Sequence, residues 1–221
     1  MTIKKLTAAL IIVLSAFIAS ACSTTSKQST QKQVERSSVD VHKAGKANPT
    51  SNDLHASFKN GVFKTDLFEL KIDRTQVGHD NFNQSDGLIV WYSVTNKTKT
   101  KEFKPSDIFR YLKFTQSDGN SDFSLDDMSS SFSIEEALYP MYDKDKNPIT
   151  DQDDSYNKAV DAQNSMKDNE EAIANANVLP GKTAKTVAGI QIKNTKYPVK
   201  IKAYTSEDEP AVNGEYEIDV H

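Results

Sequence analysis

Alternating hydrophobic and polar residues predict short β-strands in the chain beyond its first quarter. Phe68, Leu70 and Ile72 alternate with charged residues, which predicts one half-buried strand over residues 63–77. The polar residues 78–87 that follow are interpreted as a loop.

The strongest strand pattern lies at residues 88–95. It is apolar on both faces and rich in β-branched and aromatic side chains, so we expect a central strand with Trp91 in the core. Further strands are predicted at 111–116, 182–192, 197–204 and 215–220. Short strands separated by polar turns are typical of an antiparallel sandwich or barrel.

One segment has helical spacing instead. Residues 153–173 contain neither Gly nor Pro, and Tyr156, Val160 and Met166 recur at helical intervals. Three aspartates are expected to cap its N-terminus: Asp151, Asp153 and Asp154. The apolar stripe is thin, which predicts a helical insertion at about 151–174 on the surface of the sandwich.

The N-terminus has the three parts of a secretory signal. Lys4 and Lys5 precede an apolar run at 6–18, and Ala19-Ser20-Ala21 follows it. That run is too short to span a bilayer comfortably, so residues 1–21 are interpreted as a signal peptide.

Cys22, the only cysteine, comes directly after this signal. In a lipoprotein signal, the cysteine thiol takes a diacylglycerol before cleavage makes that residue the new N-terminus, and two acyl chains anchor a protein stably. Ala19-Ser20-Ala21 also fits ordinary signal cleavage, and Ala19 stands where a lipobox prefers Leu, Val or Ile. We expect lipidation, because an unpaired thiol at the N-terminus of a soluble exported protein would be unusual.

Residues 22–53 are expected to form a disordered tether. Residues 23–53 contain no aromatic residue, Leu or Ile, and such a chain cannot bury enough surface to offset its ordering entropy. The folded domain is therefore predicted at 54–221, a normal size for one domain.

Two motifs resemble a known family. The run Leu-Ile-Val-Trp-Tyr-Ser-Val-Thr-Asn-Lys-Thr at 88–98 and Leu-Pro-Gly-Lys-Thr at 179–183 are similar to an uncharacterised group of Ig-like (telokin-like) domains in Gram-positive surface lipoproteins. The resemblance implies an Ig-like antiparallel β-sandwich at the cell surface and implies no catalytic residues. This chain departs from the pattern in its polar residues 121–133 and its helical insertion, and it lacks the cysteine pair of antibody domains.

The net charge and the lack of recognisable catalytic motifs argue against two classes of function, nucleic-acid binding and catalysis. The net charge of −4 and the absence of a basic stripe argue against a nucleic-acid partner. The histidines lack metal-ligand spacing, and the pairs Asp126-Asp127 and Glu135-Glu136 are interpreted as solvated surface, so we do not expect an enzyme.

The best candidate for a cofactor site is a calcium loop. The following residues occupy positions 1, 3, 5, 7, 9 and 12 of an EF-hand-like spacing: Asp143, Asp145, Asn147, Ile149, Asp151 and Asp154. Pro148 stands where that loop wants Gly. The alternative is an acidic loop followed by a helix cap.

Partner binding is expected in the insertion at 139–177, which carries Tyr139, Tyr142 and Tyr156. The alternative is that the insertion only covers a sheet edge.

Two functions for the whole protein stay open. The first is a non-catalytic, membrane-anchored module that binds an unknown envelope protein or polymer. The second is an enzyme or enzyme inhibitor that acts on envelope polymers through loop carboxylates.

Overall fold

The computed structural model describes residues 55–125, 131–149, 154–206 and 208–221, and their strands form two antiparallel sheets. The predicted signal peptide, Cys22 and the tether lie outside the described residues, as do Asp126, Asp127, Asp151 and Asp153. No helix in the described ranges is both long and apolar enough to span a membrane.

The first sheet has five strands in the order β1-β2-β3-β4-β7. Its strands are β1 Ser57–Lys59, β2 Val62–Lys64, β3 Phe68–Asp80, β4 Ser85–Asn96 and β7 Thr183–Gln191. The second sheet has the order β6-β5-β8-β9. Its strands are β5 Leu112–Ser117, β6 Asp122–Ser124, β8 Val199–Ala203 and β9 Tyr216–Ile218. The predicted antiparallel β-sandwich is therefore confirmed.

The main core lies between the sheets. One side of β4 contributes Leu88, Val90, Tyr92 and Val94, which are almost completely buried. They pack with side chains from both sheets, including Phe63, Leu70, Phe114, Val199 and Ile201. The period of two that predicted these strands is thus the pattern of inward-facing side chains.

Two predicted boundaries in the first sheet are wrong. Residues 63–77 do not form one strand, because Thr65 Oγ1 accepts hydrogen bonds from the amides of Leu67 and Phe68 and holds a turn between β2 and β3. Residues 78–87 are not a loop either. β3 runs to Asp80 and β4 begins at Ser85, so only a four-residue turn remains between them.

The outer face of the first sheet carries a second apolar cluster. Ile89, Trp91 and Val187 lie on this face, and they pack against side chains that follow β6, namely Phe132, Ile134 and Met166. Ile134 begins the short helix α2 at Ile134–Leu138, and Met166 ends α3 at Ser155–Met166. Both faces of β4 are covered, as its sequence predicts.

Glycines make room for this cover. Gly78 and Gly87 are cross-strand partners, and Gly189 pairs with Ile89 on the neighbouring strand. A Cβ at Gly87 would lie 2.4 Å from the Phe132 ring, and one at Gly189 would lie 2.6 Å from Ile134. This glycine row (Gly78, Gly87 and Gly189) forms a trough that receives Phe132 and α2.

The predicted helix is present as a chain of three segments. α3 continues into a π-helical turn at Lys167–Glu171 and then α4 at Ala172–Ala174. Gln163 and Met166 are its buried residues in α3, and the carbonyl of Glu170 accepts a hydrogen bond from Thr186 of β7 at 2.6 Å. The helix therefore lies against the outer face and β7, which is an edge strand of this sheet. An additional helix, α1 at Pro105–Phe109, begins at a proline, which is favoured in the first turn of a helix.

Candidate functional site

The turn between β3 and β4 is built on a buried carboxylate. Asp80 is completely buried, and its oxygens accept hydrogen bonds from the Asn83 amide at 2.9 Å and the Asn83 side chain at 2.7 Å. The Ser133 amide donates a third bond at 2.8 Å and attaches the start of α2 to the same group. Asp80 therefore fixes the turn that carries Phe82.

A second buried carboxylate fixes the segment after α2. Ser133 Oγ caps α2 by accepting the Glu136 amide, and the Glu136 carboxylate accepts the amides of Met141 and Tyr142 at 3.0–3.1 Å. Only 4% of Glu136 is exposed, so its prediction as solvated surface is wrong. The carboxylate is buried because the amides beyond the helix provide its hydrogen bonds.

These two anchored segments contact each other. The side-chain amide of Asn81 donates to the Tyr142 carbonyl at 2.7 Å, and that of Gln84 donates to the Asn81 and Lys144 carbonyls at 2.7 and 3.3 Å. The rings of Phe82 and Tyr142 lie side by side, with centroids 4.9 Å apart and planes tilted by 42°. We call Phe82 and Tyr142 the aromatic pair.

The aromatic pair consists of one exposed ring, Phe82, and one partly buried ring, Tyr142. Phe82 is 52% exposed, and neither ring belongs to the two hydrophobic clusters of the core. Sequence reasoning missed Phe82 because it assigned the surrounding residues to a polar loop. The signal was a phenylalanine between Asn81 and Asn83, since turn positions favour small polar residues.

The other two predicted contact tyrosines lie elsewhere on the insertion. Tyr139 and Tyr156 are 38% and 36% exposed, as expected for surface aromatics. The carbonyl of Tyr139 accepts a hydrogen bond from Gln163 of α3 at 2.8 Å, whereas Tyr156 lies in the first turn of that helix. The structure therefore brings Tyr142 to Phe82 and shows no ring contact between Tyr142 and the other two within the described ranges.

Four of the predicted calcium ligands share one hairpin, namely Asp143, Asp145, Asn147 and Ile149. Asp143 Oδ1 accepts the amides of Asp145 and Asn147 at 2.9 and 2.8 Å, and these hydrogen bonds lower the pKa of Asp143, those from Asn147 most. The hairpin is closed by hydrogen bonds from Asp143 to Asn147 and from Ile149 to Met141.

The other two predicted ligands, Asp151 and Asp154, do not test the calcium site, which stays a prediction. Asp154 is the N-cap residue of α3, but it has a left-handed conformation and its side chain makes no capping hydrogen bond. No group of three or more His, Cys, Asp or Glu side chains is placed to hold a metal in the part of the chain that the structure describes. Asp151 lies outside that part.

Trp91 is buried, as predicted, and both its ring and its indole nitrogen contact other side chains. The Arg74 guanidinium lies over the ring, with Cζ 3.3 Å from its centroid. Trp91 Nε1 donates to Glu170 Oε2 at 2.8 Å and so joins β4 to the π-helical turn. A β-bulge between Ile72 and Arg74 places the arginine opposite the tryptophan.

The acidic residues around that turn differ in their environments. Lys167 pairs with Glu135 at 3.2 Å. Burial acts to raise the pKa of Glu135, but hydrogen bonds from the Glu135 amide, Ser133 and Lys167 together hold it below its ordinary value. Burial raises the pKa of Glu171, and the charge of Glu135 adds to the effect. Glu171 Oε1 is buried without a hydrogen-bond partner in the described ranges.

An open cleft lies at the opposite end of the first sheet. Its volume is about 370 Å³, and its lining includes His55, Lys64, Asp66 and Lys97. Both lysines face Glu69, at 3.3 and 3.9 Å. The cleft is lined by neither of the buried carboxylates Asp80 and Glu136.

Comparisons with known proteins identify similar folds. The chain is similar to the solved structure of a "putative lipoprotein" from Staphylococcus aureus, with 16% sequence identity and a TM-score of 0.52, covering 76% of this chain and 94% of that one. It is also similar to a protein from Enterococcus faecalis solved by NMR, with 17% identity, a TM-score of 0.45, and coverage of 75% and 94%. No family model and no curated protein matches the chain. At this identity, the staphylococcal structure supports the fold alone.

Proposed function

We propose that this protein is a lipid-anchored lipoprotein at the outer face of a Gram-positive cell membrane, where its sandwich binds an envelope component without catalysing a reaction. Cys22 directly after a signal peptide supports the anchor. The name of the staphylococcal protein with a similar fold agrees with it. An Ig-like (telokin-like) relationship belongs to the same proposal and rests on the sequence motifs.

The observation that carries the binding role is the aromatic pair. Two buried carboxylates, Asp80 and Glu136, fix the backbone on either side of rings that contribute nothing to the core. Holding Phe82 half-exposed costs hydrophobic stabilisation in the free protein, and a partner that covered the ring would recover it. Rigid aromatic side chains are the residues that most often dominate binding surfaces.

The second candidate function, an enzyme or inhibitor that uses loop carboxylates, receives less support. The buried carboxylates accept hydrogen bonds from backbone amides and side-chain amides, which holds them in structural roles. The exposed carboxylate of Asp143 is likewise bonded within its own turn. Among the residues that the structure describes, Asp80, Glu136 and Asp143 are thus held by contacts within the protein itself.

The anchor is tested by Cys22→Ala in the full-length protein, expressed in a Gram-positive host fed with a tagged fatty acid. We expect the wild-type protein in the membrane fraction with the tag and the variant in the medium without it. Ser23→Ala is the matched control and should behave as the wild type. A variant that loses its signal but stays with the membrane would contradict the anchor.

The binding role is tested with the full-length protein in mild detergent as bait for cell-envelope extracts. Phe82→Ala should reduce capture of envelope material while leaving the melting temperature unchanged, because the ring makes no core contacts. Leu179→Ala is the control: Leu179 is 51% exposed and lies beyond the other end of β4, where Gly181 bonds to Asn96. Equal capture by both variants and the wild type would contradict a binding role for the aromatic pair.

A further inference from the structure

We propose that the aromatic pair is a stacking platform for the neutral pyranose rings of an envelope polysaccharide. This proposal rests on the proposed binding function and specifies its ligand class. A pyranose has an apolar face of C–H groups that can lie on an aromatic ring, and hydroxyl groups around its rim that need polar partners.

The size of the surface favours a sugar over a protein. A stable protein interface buries about 800 Å² on each partner and contains a well-packed apolar centre. The large hydrophobic side chains that are exposed in the described ranges are Phe82, Tyr139, Tyr156 and Leu179. Leu179 is at the far end of the sheet, and Tyr142 is the only one of the predicted contact tyrosines whose ring touches Phe82. A half-exposed Phe82 ring beside the partly buried Tyr142 ring suits a ligand built from ring-sized units.

The platform is rigid before a ligand arrives. Asn81 and Gln84 use their side-chain amides to join the two turns, and the carboxylates beneath them are buried. A fixed platform keeps the entropic cost of binding low, which matters for a ligand whose individual contacts are weak.

Polar side chains border the platform, and their charges balance. The bond from Gln84 to the Lys144 carbonyl places the acidic hairpin beside the aromatic pair. That hairpin presents Asp145 and Asn147, both exposed, which can accept or donate hydrogen bonds to hydroxyl groups. Its two aspartates are matched by Lys144 and Lys146, and the whole chain has a charge of −4, so a polyanionic polymer gains no electrostatic attraction here.

The test uses the full-length protein in mild detergent and isothermal titration with defined sugars. The neutral probes are cellohexaose, the N-acetylated form of chitohexaose and isomaltohexaose, and dextran sulfate is the polyanionic probe. We expect at least one neutral hexaose to bind. Phe82→Ala should lower the affinity for that hexaose by about tenfold or more, and Phe82→Trp should restore the affinity. Leu179→Ala should bind as the wild type, and melting temperatures confirm that each variant is folded.

Three results would overturn the proposal: no neutral hexaose binding up to about 10 mM, binding of dextran sulfate alone, or binding that Phe82→Ala leaves unchanged. The same variants in the envelope-capture assay separate this failure from failure of the proposed function. Capture that depends on Phe82 without any hexaose binding would reject the sugar and keep the binding role. Equal capture of envelope material by the wild type and Phe82→Ala would reject both the sugar ligand and the binding role of the aromatic pair.

Discussion

The substitution Gly87→Ala tests the docking of the insertion on the first sheet. Gly87 lies in β4, has no positive φ, and pairs with Gly78 on the neighbouring strand. In an unobstructed strand, replacing glycine by alanine stabilises a protein by about 0.5–1 kcal/mol, because it reduces the freedom of the unfolded chain. The structure predicts the opposite sign at this position.

The magnitude follows from the position of Phe132. A Cβ at Gly87 would lie 2.4–2.5 Å from three atoms of its ring, whereas carbon atoms in ordinary contact are about 3.5–4.0 Å apart. The ring must therefore retreat by about 1 Å or more, and Ile134 and Ile89 pack in the same cluster. Overpacking of this kind costs about 1–3 kcal/mol, so we expect a net loss of about 1–2 kcal/mol.

Urea denaturation of a double-mutant cycle measures this loss. Gly87→Ala alone should lower the free energy of unfolding, whereas in a Phe132→Ala background it should be neutral or stabilising. Phe132→Ala alone should also be destabilising, because it empties a buried site. A stabilising single substitution, or a coupling energy below about 0.5 kcal/mol, would refute the packing of Phe132 into the glycine row.

Two further predictions concern the contact between β4 and the helical insertion. Trp91→Ala should cost about 3–5 kcal/mol in urea denaturation, because it removes a buried aromatic ring and leaves Glu170 without its donor; a loss below about 1 kcal/mol would mean that the ring is not part of the packing. Glu171→Gln should stabilise the protein at pH 7 and lose this advantage below its ordinary pKa of 4.5, measured by unfolding at pH 7 and pH 4. The sign follows because a carboxyl whose pKa is raised by folding stabilises the fold while protonated, and loses that contribution as the pH rises through the folded-state pKa. Equal gains at both pH values would contradict the raised pKa.

The sequence predicted the features that depend on short-range residue patterns, namely the strands, the sandwich and the helix. The alternation around Leu70 and the two apolar faces around Trp91 were sufficient for the strands and the sandwich, because burial imposes a period of two on a strand. The helix followed from its spacing, although its buried Gln163 and the hydrogen bond to Glu170 depend on tertiary contacts.

What the sequence did not predict depends on residues far apart in the chain. Glu136 looks solvated in sequence because the amides that bury it come from a turn after its helix. Gly87 looks like part of a loop until Phe132 is placed over it. The contact between Phe82 and Tyr142 could not be predicted, because it depends on the hydrogen bond from Asn81 to the Tyr142 carbonyl, which joins two turns far apart in the sequence.

The pairing of β4 with β7 has a consequence for the order in which the chain folds. Thr95 and Thr183 bond to each other across 88 positions of sequence, whereas β1 to β4 form consecutive antiparallel pairs. Because distant pairing must first overcome the entropy of closing a long loop, the N-terminal hairpins should form before β7 arrives. Until β7 pairs, β4 would expose an unpaired edge together with Ile89 and Trp91, so the folding chain would be prone to aggregate during that interval.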